Sequence, residues 1–245
     1  VTDEDLKALE EIDGVESVMP AYSADLLVDT PEGDTVVTRI HSLPDGELDS
    51  SREDWLNQFT LVEGRLPEGE GECVVEAGSA LAGNPAKIGD KLTVSADNKD
   101  PEDTLACMTY EVVGVVESSY YFSYEREPAS VGSGSVGMVL YVRSENFDLD
   151  VYTDLYLSVS GAAELEAPGE AYESLVQTVS DRIEEISGAQ CALRLEEVRA
   201  DAQAELDDGW AEYNDAKAEA DAEFADARTE LDDGWAELAD GQREL

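Results

Sequence analysis

The last fifty residues, 196–245, constrain this chain more than any other stretch. The octet Glu-Leu-Asp-Asp-Gly-Trp-Ala-Glu occurs there twice, starting at Glu205 and again at Glu230, an offset of 25 residues. Residues Leu206, Trp210, Tyr213, Lys217, Ala220, Phe224, Ala227, Leu231, Trp235, Leu238, Gln242 and Leu245 follow one another in steps of three and four. That is a heptad pattern with one stutter, and it predicts a single long helix whose stripe winds only weakly around it. At about 1.5 Å per residue the rod would be roughly 75 Å long. It is poorly built to stand alone. Lys217, Gln242 and two alanines dilute the stripe, and Gly209, Gly234 and Gly241 each cost about 1 kcal/mol relative to Ala in a helix interior. The expectation is therefore a helix-partner interface made of Leu206, Trp210, Tyr213, Phe224, Leu231, Trp235 and Leu238. The pattern runs to the last residue with no stop signal, so its cover would be a returning helix further along a longer chain, or a second copy. A stripe lying bare along a lone straight rod, or a tail folded back as strands, would sink the reading of the tail as a lever.

Charge narrows the partners. The chain carries 59 acids against 15 Lys and Arg, a formal −44. The tail holds 18 acids and 4 bases, a net −14, which leaves −30 for the rest. Nothing here would neutralise phosphates, so nucleic acid is excluded as a partner, and adsorption to an anionic bilayer is disfavoured. Solubility in a salty or exterior medium accounts for the acidity. No Asp-x-Asp-x-Asp-Gly loop supports a calcium site. Cys73, Cys107 and Cys191 have neither disulfide-framework nor zinc spacing; one pair plus a free thiol, or three free thiols, both remain open. No cofactor or metal is called for, and no run of 18 apolar residues is present.

In chain order, a capping-box-like Thr2-Asp-Glu-Asp5 opens a helix to Ile12 that stops at Gly14. Residues 17–28 and 36–41 read as strands around the turn Thr30-Pro-Glu-Gly-Asp34. Far downstream, residues 154–160 alternate as a strand, and Tyr172, Leu175, Val176, Val179, Ile183 and Ile186 mark a helix expected to end at Gly188. Residues 189–195 then alternate as a last strand. The fold class is α+β: a split α+β subdomain (1–43 and 152–195), an inserted β-rich subdomain (44–151), and the C-terminal coiled-coil helix (196–245). Within the insert, residues 50–59 suggest a short helix, and residues 72–76, 91–95, 110–117 and 136–143 suggest strands. The run Val112, Val113, Val115, Val116 marks a strand buried on both faces.

Chemistry finds little footing. His41, the one histidine, reads as an exposed loop residue rather than a general base. Cys73 alternates like a buried strand residue. Gly132-Ser-Gly134-Ser-Val-Gly137 lacks the lysine of a phosphate loop and reads as a turn. No nucleophile-elbow, zinc-helix or Walker motif is present, which argues against a hydrolase. Tyr120, Tyr121, Phe122 and Tyr124 form a possible partner or ligand surface, or else close the end of a core.

Several stretches together resemble the extracytoplasmic domain of FtsX-like (MacB-type) ABC transporter permeases. They are Leu9-Glu-Glu-Ile-Asp-Gly-Val-Glu-Ser-Val-Met-Pro20, Leu61-Val-Glu-Gly-Arg-Leu-Pro67, Glu70-Gly-Glu-Cys-Val-Val75, Ile88-Gly-Asp-Lys-Leu-Thr-Val94 and Tyr110-Glu-Val-Val-Gly-Val-Val116. The resemblance covers roughly residues 1–195. It implies that the split half is porter-like and that the domain is membrane-anchored in its parent protein and faces the extracellular side. It further implies a cognate cytoplasmic ABC ATPase acting through the membrane part, with the rod as the coiled coil that some Gram-positive members add. A surface-anchored adhesin or scaffold binding through its coil is the alternative; it would show one anchor and no four-span permease pattern.

Overall fold

The computed structural model describes residues 1–49, 51–78, 86–118 and 128–244. The chain divides into two compact units, Val1–Ile183 and Glu184–Leu245.

The first unit begins with helix α1 (Asp3–Glu10), held by a complete capping box. The Thr2 N–H donates to Asp5 Oδ2 at 2.9 Å. Aspartate at N3 is short but closes the box all the same. Strands β1 (Val15–Ala21) and β2 (Ser23–Asp29) follow. The sequence reads these as one strand; the structure breaks them at Tyr22, and each half joins a different sheet. The Tyr22 N–H donates to Ser42 Oγ and its carbonyl accepts from the Ser42 N–H, both at 2.8 Å, which fixes the crossing. After the turn at Gly33 come β3 (Thr35–Leu43), β4 (Phe59–Gly64), β5 (Glu72–Glu76), β6 (Lys91–Val94), β7 (Thr109–Ser118), β8 (Met138–Arg143) and β9 (Asp154–Val159).

Strands β1 and β9 pair antiparallel as a two-stranded sheet, from Val15 opposite Val159 to Ala21 opposite Asp154. The other seven run in the order β4-β7-β5-β8-β3-β2-β6, and β6 pairs back onto β7. The long β7 thus closes the ring, with β4 beside it. Residues 23–43, expected beside the 154–160 strand, belong to this larger sheet instead: β3 lies parallel to β8. The reason is hydrophobic. Leu26, Val28 and Ile40 alternate inward onto Leu92, Tyr110, Val112 and Leu140, a core that the two-stranded layer could not supply.

A second cluster lies on the other side of the strands, where Met19, Leu43, Trp55, Val74, Val113, Val116, Val139 and Tyr141 meet. Strand β7 feeds both cores, as its valine run predicts. A bulge resets its phase: Cys73 faces Val112, and Val74 faces Gly114. Gly114 itself sits so close to β4 that a Cβ there would lie 3.0 Å from the Glu63 carbonyl oxygen.

Three expectations need correction. Residues 51–58 hold turns and no helix, and Trp55 is buried there all the same. Strand β4 escaped notice because Thr60, Leu61, Val62 and Glu63 are exposed and carry no alternation. Residues 189–195 form no strand: helix α2 runs unbroken from Glu170 to Glu244, through Gly188. A single mid-helix glycine costs only about 1 kcal/mol, so the helix begun at Glu170 carries through it.

The start of α2 is clamped by the loop after α1. A Cβ on Gly14, whose φ is +100°, would lie 2.8 Å from Val179 Cγ2, so glycine lets the loop approach. Arg182 pairs with Asp13 at 3.1 Å and also donates to its carbonyl.

Asn146, fully buried, ties three segments together. Its Oδ1 accepts from the Gly71 N–H at 3.0 Å, its Nδ2 donates to the Arg143 carbonyl at 3.0 Å, and its own carbonyl accepts from Ala106. Replacing Asn146 by Ala leaves buried backbone groups without their partner and should lower stability by about 1–3 kcal/mol in urea unfolding. A loss under 0.5 kcal/mol would show that water satisfies them equally well.

Candidate functional site

Among the described residues the tail stripe is continuous and exposed. On a helix of 3.6 residues per turn, 25 residues make about seven turns, so the two octets present the same face roughly 38 Å apart. Leu206, Trp210, Tyr213, Leu231 and Leu238 are all more than half exposed; Trp235 is 68% and Phe224 74% exposed. Trp210 and Tyr213 meet edge to face at 5.7 Å. Leu195, eleven residues before Leu206, falls on the same face and is exposed as well. Sequence reading missed it by assigning residues 189–195 to a strand. Around the second octet a shallow groove forms between Ala227, Glu230, Leu231, Gly234, Trp235 and Leu238. A Cβ on Gly209 or Gly234 would touch nothing within 4 Å, so packing inside the chain does not explain either glycine.

Along the helix flank, Lys217 pairs with Asp221 at 2.5 Å and Arg243 with Asp240 at 2.7 Å, both well exposed. Such pairs add a few tenths of a kcal/mol each and leave the stripe as the dominant feature. The bareness of the stripe along a single helix lends no support to a lever. What it presents is an exposed apolar helix face.

Tyr120, Tyr121, Phe122 and Tyr124 lie outside the described residues.

A cleft of about 460 Å³ in the first unit went unseen in the sequence. Its wall is aromatic: Tyr22 stacks on Phe147 at 5.3 Å and meets Tyr152 at 5.2 Å. Its rim is charged, with Asp45, Arg52, Asp54 and Glu145. Arg52 is engaged locally, donating through Nε and Nη2 to Asp54 at 3.0 and 2.6 Å and through Nη1 to the Glu47 carbonyl at 3.1 Å. Burial, helped by Asp3, pushes the Tyr152 phenol up to about 12, and burial raises Tyr22 too, so both stay neutral. Such a cleft suits an apolar or cationic group. Its residues come from segments more than a hundred positions apart, so no local motif announces it.

His41 is not an exposed loop residue. It lies buried in β3, stacked on Tyr141 at 5.6 Å, because its register opposite Ser23 and beside Tyr141 points it into the second core. Burial is the main cause lowering its pKa to about 4, against partial opposition from Asp154. Cys73 is buried with its thiol pushed far up by desolvation, which makes it inert packing. All three thiols are free; Cys107 donates to the Thr109 carbonyl at 3.1 Å, and Cys191 is exposed. Gly132 and Gly134, both at positive φ, sit in a turn closed by Ala129 N–H on the Gly134 carbonyl. Among the described residues, no group of His, Cys, Asp and Glu could hold a metal ion, and no helix is long and apolar enough to cross a membrane.

Comparison with known proteins was decisive at the family level. A family model described as the MacB-like periplasmic core domain matches residues 1–207. No curated protein matches the chain. Solved structures similar to it include the extracellular domain of the noncanonic ABC-type transporter YknZ from Gram-positive bacteria, 16% identical, covering 73% of this chain and 83% of that one with a TM-score of 0.39. The periplasmic region of MacB from Actinobacillus actinomycetemcomitans is 13% identical, covering 75% and 74%, with a TM-score of 0.36. A domain of a putative permease protein from Porphyromonas gingivalis is 15% identical, covering 74% and 76%, with a TM-score of 0.34.

His41 generates a pH prediction. Its folded pKa, about 4, lies below the ordinary 6.5, so the unfolded chain binds the extra proton between these values. Its contribution is therefore complete above about pH 6.5 and is lost as pH falls toward 4. Relative to a His41→Gln variant, the chain should lose on the order of 2–3 kcal/mol between pH 7 and 4 in denaturant titrations. Parallel pH curves for the two proteins would contradict the buried, neutral imidazole.

Proposed function

The chain belongs to the MacB-like periplasmic core domain family, and on that premise we propose that it works as a non-enzymatic extracellular domain of an ABC transporter permease. The observation that carries this reading is the family match over residues 1–207. In this reading a cognate cytoplasmic ATPase acts through the permease's membrane-spanning part. The exterior domain passes the resulting movement on to substrate export or to an exterior partner.

Physical features of the chain support a mechanical rather than a chemical role. The thiol of Cys73 is locked in a core, and His41 is held neutral by burial against the Tyr141 ring. Neither is placed to act as nucleophile or base. The strong negative charge keeps such a domain soluble outside the membrane and repels it from anionic headgroups. The most exposed apolar surface is a helix face, the kind of element through which neighbouring helices engage. Its docking partner is another helix, from a second permease copy or returning from the same protein. A division into a porter-like part and a β-rich insert belongs to this proposal; because β2 and β3 lie in the seven-stranded sheet, its first change-over falls at Tyr22 rather than at residue 43.

Cys191 provides the test of orientation, being exposed and free. In intact cells making the full parent protein, a membrane-impermeant maleimide should label Cys191, and Cys191→Ser should remove that signal. Labelling that needs prior lysis would place the domain on the wrong side of the membrane. For coupling, Trp210→Ala with Trp235→Ala should lower ATP turnover of the assembled transporter several-fold. Unchanged turnover would leave the tail outside the coupling path.

A further inference from the structure

We propose that the tail docks antiparallel against the tail of a second copy of this chain, in a register centred on residue 222. The proposal rests on reading the tail as a helix-docking surface and adds its occupant and geometry. Three observations converge on it.

The first is symmetry. In an antiparallel pair related by a two-fold axis, residues equally distant from the centre face each other. With the centre at residue 222, Leu206 faces Leu238, Tyr213 faces Leu231, and Ala220 faces Phe224. Trp210 faces Gly234, and Gly209 faces Trp235. One octet of each copy thus lies on the other octet of its mate, which gives the exact repeat a geometric reason.

The second is the glycines. Both stand immediately before a tryptophan, and a Cβ at either position would meet open space, so nothing inside the chain requires them. Opposite an indole from the second copy they become notches, and the groove bordered by Leu231, Gly234, Trp235 and Leu238 is one of them. Small residues let helix backbones approach and large ones fill the gap, and here the two alternate across the register.

The third is area. Trp210, Tyr213, Phe224 and Trp235 are between 56% and 74% exposed. Aromatic side chains of this kind bury roughly 150 Å² or more each. Two helices then cover on the order of 1,200 Å², the lower bound of a standard specific interface.

Charge opposes the pairing and so gives it a signature. The same register sets Asp207 against Glu237 and Glu212 against Asp232 along the flanks. A basic partner helix would bind more weakly as salt rises, whereas this pair must bind more tightly as repulsion is screened.

Sedimentation equilibrium of the 245-residue chain is the test, at 0.1 M and about 1 M NaCl, where the screening length falls from about 10 Å to about 3 Å. The expected result is a monomer–dimer equilibrium at least tenfold tighter at high salt. Gly209→Leu with Gly234→Leu should weaken it at least tenfold while helicity by circular dichroism holds or rises, since leucine favours helix. In a Cys107→Ser, Cys191→Ser background, Leu206→Cys with Leu238→Cys should form an oxidised dimer, and neither single variant should. A monomer at both salts, undiminished pairing after the notches are filled, or crosslinking by the single variants would each overturn the proposal. None of those outcomes bears on maleimide labelling in cells, which tests the permease reading separately.

Discussion

Strand β7 is the constraint on which the first unit depends. It hydrogen-bonds to β4, β5 and β6 at once, and its side chains, like those of β8, enter both cores. A regular ten-residue strand would send alternate residues to each side. Here Val112 and Val115 go one way and Val113 and Val116 the other, with the bulge at Val113 and Gly114 absorbing the change of phase. Further rings gather on the second-core side. Tyr141 reaches His41, Phe59 closes on Tyr141 at 5.1 Å, and Trp55 meets Phe59 edge-on at 5.2 Å.

In a chain so short of cations, the use of each arginine is informative. Arg39 spans from β3 to Asp25 on β2 with a 2.6 Å contact, largely shielded from water, and Asp25 also accepts from the Ser130 N–H at 3.0 Å. The guanidinium hydrogen bond holds the Asp25 carboxyl below its usual range. Arg65 grips Glu72 at 2.5 Å and holds that carboxyl near 2, while Glu72 caps the Glu68 N–H at 2.9 Å. Arg52 gathers Glu47 and Asp54, and Arg182 gathers Asp13. Arg65 and Arg182 each tie an irregular segment to a regular element, Arg39 joins two paired strands, and Arg52 draws one loop together. Lysine could not do the same work, because several of these contacts use two nitrogens of one planar fork.

How much of this the sequence disclosed depended on whether the signal was local. The valine run disclosed β7, the Thr2–Asp5 box disclosed α1, and the steps of three and four disclosed the tail helix. Alternation failed where a second element decides the outcome. Residues 189–195 alternate well enough for a strand, but the helix already formed from Glu170 carries through them. Residues 17–28 look continuous because nothing in the chemistry of Tyr22 announces a change of sheet; the break is imposed by Ser42, twenty residues on. His41 was misjudged for the same reason. A polar residue near acids reads as surface, and only the parallel register of β3 on β8 turns it toward Tyr141. The cleft at Tyr22, Phe147 and Tyr152 was invisible because its three rings meet only after β1 and β9 pair.

The tail inverts that relation. Its stripe was legible in the sequence because it is local, yet the structure of a single chain adds no contact that accounts for it. An isolated helix draws its stability mainly from packing one face, and propensity alone leaves long polar helices marginal. Glycines at 209, 234 and 241 make propensity worse, and the flanking acids repel one another along the rod. If helix formation were the only requirement on these residues, alanine at those positions would satisfy it better. That glycine stands beside tryptophan in both octets instead is what the proposed pairing with a second copy accounts for. The first unit is organised by what its strands bury, and the second by a surface it holds ready.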